Sequence, residues 1–569
     1  MFSSLRAYVV CSAFASLVAS FASAQIQAYT FDGAGSGNQF GKSVRNAFDV
    51  DGDGFDDIIV GEPFANPNGN NSGRARVYSG KTGAILWTFD GSNADDQFGS
   101  DVAGVEITSG NVVLVVGAPL EDTPYVDAGA VYIYSGATGA LLRHIVGGVP
   151  FEQFGFSVSS AGDVNGNGDV DMIAGTPYLN FGVAQVGGFV LIAGANLLPF
   201  SNGVWHGTEP GALLGWSVAG VGDIDHDGYD DVIAGAPLGG PSNEGEAHVL
   251  AMGTGQVLYL KVGAAPNSQF GYSVSGSRDV DNDGWPDFIA GAPFDNTSGA
   301  ASGRIKVFSG HTGSLLHNIT GSTGFHFGQS VSLVGDVDGD GDADLIVGAP
   351  FGDHNGTLET GLVRVLSGAN ASLIHVFFGD NAGDHLGASV SRGGDINNDG
   401  TSDVIAGAPH AAPNGSNSGI ARVWFMGCPN PSTYCTAKVN SNGCMPQIDY
   451  TGVPTRVTGA DDFEITASHV LKVKSGLLFW GTGQLSNPFH GGTLCVASPT
   501  VRTPIQDSGC PSCGACQGVY TFAFSHSYMA SQSVHSGDTL YAQFWSRDPG
   551  FAPPNNYGLT DALKFTVCK

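Results

Sequence analysis

Carboxylates recur along this chain in a spacing suited to a hard cation. The stretch DVDGDGFDD, residues 49–57, sets five carboxylates and two glycines in nine residues. Left unneutralised, such a cluster repels itself. Oxygen donors at positions 1, 3 and 5, a turn-forming glycine at 6, a backbone carbonyl at 7 and an Asp at 9 make a ligand set for an ion such as Ca2+. In the first copy these are Asp49, Asp51, Asp53, Gly54, the carbonyl of Phe55 and Asp57. The second is Asp163, Asn165, Asn167, Asp169 and Asp171, and the third Asp223, Asp225, Asp227, Tyr229 and Asp231. Then come Asp279, Asp281, Asp283, Trp285 and Asp287, followed by Asp336, Asp338, Asp340, Asp342 and Asp344. The last is Asp395, Asn397, Asp399, Thr401 and Asp403. An EF-hand needs a bidentate Glu at position 12 and flanking helices. Position 12 here is Val60, Ala174, Ala234, Ala290, Val347 or Ala406, so that geometry is excluded. A metal-free Asp/Gly turn is the alternative, and it is strongest at Asp163, where two asparagines reduce the charge.

The loops sit at fixed places in a longer unit. QFGKSVRNAFDVDGDGFDDIIVGEP from Gln39 returns, with changes, from Gln153, Leu213, Gln269, His326 and His385, and a degenerate copy without the acidic loop starts at Gln97. Phe40, Phe98, Phe154, Leu214, Phe270, Phe327 and Leu386 are equivalent, at separations of 58, 56, 60, 56, 57 and 59 residues. Each unit holds four strand-like pieces; in the first they are FGKSVRNA, DDIIVGEP, GRARVYSG and AILWTFD. Four short strands in roughly sixty residues is the size of a propeller blade, and a solenoid would normally use a shorter repeat. The seventh unit lacks a fourth strand, whereas IQAYTFDG at residues 26–33 precedes the first unit and matches its fourth strand, AILWTFDG. That N-terminal strand is expected to complete the last blade and close the ring.

The succession FG-x-S-V, D-x-D-x-D-G-x-x-D and G-A-P resembles the FG-GAP repeats of integrin α-subunit β-propellers. The resemblance covers about 400 residues. It implies a seven-bladed propeller with calcium in the hairpins between first and second strands; six loops of this sequence match the motif, more than is typical of integrin α chains, so up to six ions are expected. Alternation of strand direction puts those hairpins on one face together with the SGKTG-type turns. The longer and more variable second-to-third loops share the opposite face, where a partner is expected to bind, around residues 66–71 and 353–360.

Composition narrows the rest. Glycine is 87 of 569 residues and charged residues are 13%, which fits many tight turns between short strands. A net charge of −30 argues against nucleic acid as a partner. Arg6, a short apolar run and Ala22-Ser23-Ala24 read as an export signal over residues 1–24, and no later stretch is apolar enough to span a membrane. Cleavage would leave eight of nine cysteines, all at or beyond Cys428. The chain therefore reads as signal 1–24, propeller 25–427 and a cysteine-rich, β-sandwich-like module 428–569, all-β throughout. Disulfides are expected in an exported chain, in 105 possible pairings of eight thiols, and are preferred over a metal knuckle at CPSCGAC, residues 510–516. Cys568 is expected to tie down the C-terminus. With no nucleophile elbow, HExxH helix or phosphate loop, the expectation is a secreted, non-enzymatic adhesion or interaction protein for an extracellular protein or glycan ligand. A lectin-like propeller and a secreted hydrolase are the alternatives.

Overall fold

The computed structural model describes residues 26–427, 431–452, 454, 463–509, 514–535 and 538–567. The signal segment 1–24 and Cys428, Cys510, Cys513 and Cys568 lie outside the described residues. Seven four-stranded antiparallel sheets follow one another along the first part of the chain. The first consists of β2 (Ser43–Phe48), β3 (Asp57–Glu62), β4 (Arg74–Tyr78) and β5 (Ile85–Asp90), in that order. Its second strand is buried along its whole length, as an apolar run between two neighbouring sheets must be, and its fourth strand is the most exposed. β1 (Ile26–Asp32) does not join this sheet. It pairs antiparallel with Ile420–Phe425 as the fourth strand of the last one.

The sheets are joined in a cycle, which defines a propeller arrangement. At each junction the residue after the first motif position makes an isolated parallel bridge to a glycine of the preceding sheet, from Gly73 with Phe98 to Gly361 with Leu386. Phe40 with Gly419 joins first to last. The glycines of the repeated FG and GAP pairs meet across these junctions. A Cβ on Gly407 would lie 1.9 Å from the Gly41 carbonyl oxygen, and Gly41 itself sits at φ +84°. The same opposition recurs between Gly61 and Gly99 and between Gly291 and Gly328. The motif is thus a packing rule: backbone meets backbone where no side chain fits.

Near the axis, the inner strands are stitched by side chains. The amide of Val44 donates to Ser389 Oγ (3.2 Å), Val102 to Ser43 Oγ (3.3 Å) and Val158 to Asp101 Oδ2 (2.9 Å). Val274, Val331 and Val390 donate in the same way to Ser217, Ser273 and Ser330. A channel of about 300 Å3 runs between the inner strands of all seven sheets.

Beyond residue 430, a six-stranded sheet and a three-stranded sheet share one core built around Ile465, Leu478, Tyr520, Phe544 and Phe565, and a hairpin packs through Val496 on a smaller cluster with Phe479 and Leu559. Cys435 is bonded to Cys495 and Cys444 to Cys516. The second bond takes one sulfur out of any metal knuckle at 510–516. A six-residue helix, His526–Ser531, is the one α-helix among the described residues, and no described helix is long and apolar enough to cross a membrane.

Candidate metal centres and an aromatic face

Each acidic loop is the hairpin between the first and second strands of a sheet, and its carboxylates are held by backbone amides in a repeated pattern. In the first loop Asp49 Oδ1 accepts from Gly52 and Asp53, and Oδ2 from Gly54. Asp53 Oδ1 accepts from the Phe55 amide, which fixes position 5 against position 7. The loops at Asp223, Asp279 and Asp336 repeat the contacts made by the amides of positions 5, 6 and 7. The bonds turn the chain inwards and bring like charges together. Carboxylate oxygens of Asp49, Asp51 and Asp53 lie within 4.8 Å of one another, as do those of Asp223, Asp225 and Asp227 and of Asp336, Asp338 and Asp340. In the fourth cluster, Asp279 and Asp281 are joined by Asp287, the position-9 residue.

Position 9 does two things. Asp57 is fully buried, its Oδ2 accepts from the Val50 amide and its Oδ1 from Gly80 in the turn between the third and fourth strands. Asp171, Asp231, Asp287, Asp344 and Asp403 bridge the same two places. Each aspartate therefore braces one hairpin against its neighbour while facing the acidic cluster. Burial, with the nearby loop carboxylates, pushes Asp57, Asp231, Asp287 and Asp344 up to about 7 and Asp171 to about 6, and burial puts Asp403 well above the usual range. A fully buried carboxylate raised by desolvation and by nearby loop carboxylates is relieved by a bound divalent cation. The residues of the four all-acid loops fit such an ion.

The two asparagine-containing loops differ. Asn165 Nδ2 donates to Asp171 Oδ2 (2.7 Å) and Asn397 Nδ2 to Asp399 Oδ2 (2.9 Å), so amides supply part of the neutralisation. In the second sheet, Val102–Thr108 and Asn111–Ala118 are joined by a short turn in which Gly110 donates to Glu106, with no carboxylate cluster.

Two features were absent from the reading of the sequence. Asp56 and Asp230, at position 8, reach sideways and accept from the backbone amides of Asp395 and Asp163 in neighbouring loops. The doubled Asp-Asp was the available signal. On the opposite face, half-buried rings form a continuous crescent around the axis. Phe156 packs on Tyr178 and Trp216, Trp216 on Tyr272, and Tyr272 on Phe294. Phe294 then meets His326, His326 meets Phe351, Phe351 meets His385 and His385 meets His410. Successive centroids are 4.4–6.4 Å apart. These residues stand beside the FG pair or directly after GAP, at the end of the inner strands away from the acidic loops.

A cyclic array of four-stranded sheets with FG at one end of each inner strand and acidic hairpins at the other is a β-propeller of the FG-GAP class. The FG-GAP repeat model matches residues 40–78, 214–250, 270–308, 327–366 and 386–424. The chain is 31% identical to integrin alpha-5 of Xenopus laevis over 40% of its own length and 22% of that protein. It is 33% identical to human integrin alpha-IIb over 37% of its length and 22% of that protein, and 26% identical to integrin alpha-V of Gallus gallus over 46% and 29%. The chain is an FG-GAP repeat protein, integrin α-like in its repeat region, and it spans about a quarter of the length of these relatives.

Proposed function

We propose that the chain is a secreted, calcium-stabilised interaction protein. Residues 25–427 form a seven-bladed propeller closed by the strand at 26–33, residues 1–24 are its export signal, and 428–569 are a separate disulfide-bonded β module. Calcium occupies up to six hairpin loops, with Asp49, Asp223, Asp279 and Asp336 opening the four strongest sites. The asparagine loops at Asp163 and Asp395 bind more weakly, because amide contacts already offset part of their charge. Likeness to integrin α subunits supports a role in adhesion or interaction and not in turnover.

The partner, an extracellular protein or glycan, sits on the face of the aromatic crescent. That crescent carries the reading: half-buried rings presented side by side offer large apolar area at low entropic cost, whereas the opposite face is rimmed by acidic loops. Calcium acts at a distance by holding the hairpins, not by touching the ligand. The test is a screen of the purified protein on glycan and extracellular-matrix arrays, followed by Trp216→Ala with Tyr272→Ala on any hit. Binding should fall by tenfold or more, with the melting temperature in calcium little changed. Undiminished binding would place the partner elsewhere. Steady turnover of a polysaccharide or phosphoester would replace the interaction reading with an enzymatic one.

A further inference from the structure

At one end of the crescent two imidazoles face each other through the same nitrogen. His385 Nδ1 and His410 Nδ1 are 2.5 Å apart, and the rings are edge to face with centroids 4.6 Å apart. On its far side His385 Nε2 lies 3.4 Å from Glu359 Oε2. An ionised carboxylate only accepts, so the proton of neutral His385 belongs on Nε2 and its Nδ1 presents a lone pair to His410. A carboxylate behind one nitrogen and a lone pair in front is the arrangement that orients a metal-ligating histidine. The chain anchors His385: its amide bonds to the Glu359 carbonyl, and Phe351 packs against its ring at 4.6 Å. His410 directly follows the GAP motif of the last sheet.

We propose that His385 and His410 bind a borderline-soft divalent cation of the zinc class, with Glu359 positioning His385. Nitrogen-to-metal distances of about 2.0–2.1 Å in a tetrahedral site require donors roughly 3.3 Å apart. The pair must open by a little under ~1 Å, which small rotations of two half-buried rings supply. Two protein donors leave two positions for water or for a donor brought by a partner. Imidazole nitrogens, unlike the all-oxygen hairpin loops, select such a metal over calcium. His326 does not join the site, since Phe351 lies between it and His385, with centroids 4.4 and 4.6 Å away. The neighbouring charges are Glu359 and, acting on His410, Lys42.

The test uses the full chain, without a histidine tag and saturated with calcium so that the acidic loops are filled, titrated calorimetrically with zinc chloride. The wild type should take up one equivalent that His385→Ala and His410→Ala each lose, with melting in calcium checked for both. If either alanine variant unfolds, glutamine replaces alanine at that position. Glu359→Gln should weaken zinc binding 10–100-fold, and His326→Ala should leave the stoichiometry unchanged. Absence of zinc uptake by the wild type, or uptake retained in the double histidine variant, would show that the two rings share only a hydrogen bond. Loss of the equivalent in His326→Ala would overturn the assignment of the donors.

Discussion

Removing divalent cations should destabilise this propeller, and more so at alkaline than at acidic pH. The position-9 aspartates are the reason. In the metal-free chain Asp57, Asp231, Asp287 and Asp344 are pushed up to about 7 from 3.8. A carboxyl whose folded value is raised favours the folded state below its unfolded value, and that contribution is lost as pH rises through the folded value. The window is therefore about pH 4 to 7, with the full penalty above it. A shift of about 3 units corresponds to about 4 kcal/mol per group, an upper bound because the loops open to water. If a quarter of it survives, four loops together cost about 4 kcal/mol. A cooperative unit of roughly 400 residues has an unfolding entropy near 0.8 kcal/mol/K, so the loss is about 5 °C in melting temperature. Bound calcium favours the charged carboxylates and cancels the effect. Differential scanning calorimetry with calcium and with EGTA, at pH 5 and pH 8, should give a gap that widens by about 3 °C at the higher pH, since over a third of the penalty is already present at pH 5. An equal gap at both values, or none, would refute the idea that these buried carboxylates are neutralised by the ion.

Three further outcomes follow from the packing. Deleting residues 26–32 strips the strand paired with Ile420–Phe425 and should lower the melting temperature of the whole array; an unchanged single transition would mean that the ring does not depend on this closure. Gly407→Ala puts a methyl group 1.9 Å from the Gly41 carbonyl oxygen and should cost about 1–3 kcal/mol in denaturant unfolding, whereas the same change at Gly52, which has open space around it, costs only the strain of its positive φ. Burial holds His375 down to about 4, so the calcium-loaded protein should lose stability as pH falls from about 6.5 towards 4. The loss is at most about 3 kcal/mol and should be absent in His375→Gln.

How far the fold could be read ahead depended on whether the information was periodic. Repeats of Phe40 and its equivalents mark the sheets because every junction solves the same problem, two backbones meeting at paired glycines. Three strands of the first unit fall inside the pieces expected from alternation and turn residues, and the first, Ser43–Phe48, runs one residue past its piece. Asp57 and its counterparts were legible as oxygen donors but not as braces, since their second acceptor role depends on the turn at Gly80, 23 residues away. The crescent was illegible for the opposite reason. Phe156, Trp216 and Tyr272 follow an FG or LG pair, Tyr178, Phe294 and Phe351 follow the proline of GAP or its variant, and His326 and His385 precede FG or LG. No single repeat position is aromatic throughout, and only the ring brings the three positions to one rim. Cys435–Cys495 and Cys444–Cys516 lie in the non-repetitive part, where nothing in the spacing distinguishes one pairing from another.

The contrast between the two ends of the inner strands argues for a division of labour. At the hairpin end the same contacts recur in six of the seven sheets, position 1 bound by amides and position 9 bridging to the next turn, and Asp56 and Asp230 each reach to a neighbouring loop. Such repetition supplies rigidity and offers no distinctive surface. At the other end the residues that follow FG or LG differ in every sheet: Lys42, Ser100, Phe156, Trp216, Tyr272, Gln329 and Ala388. They are free to differ because the junction is already held by glycine backbones and by the serine-to-amide bonds around the axis. A calcium-braced ring thus leaves one rim open to variation without loss of the fold, and that rim is where recognition can be built.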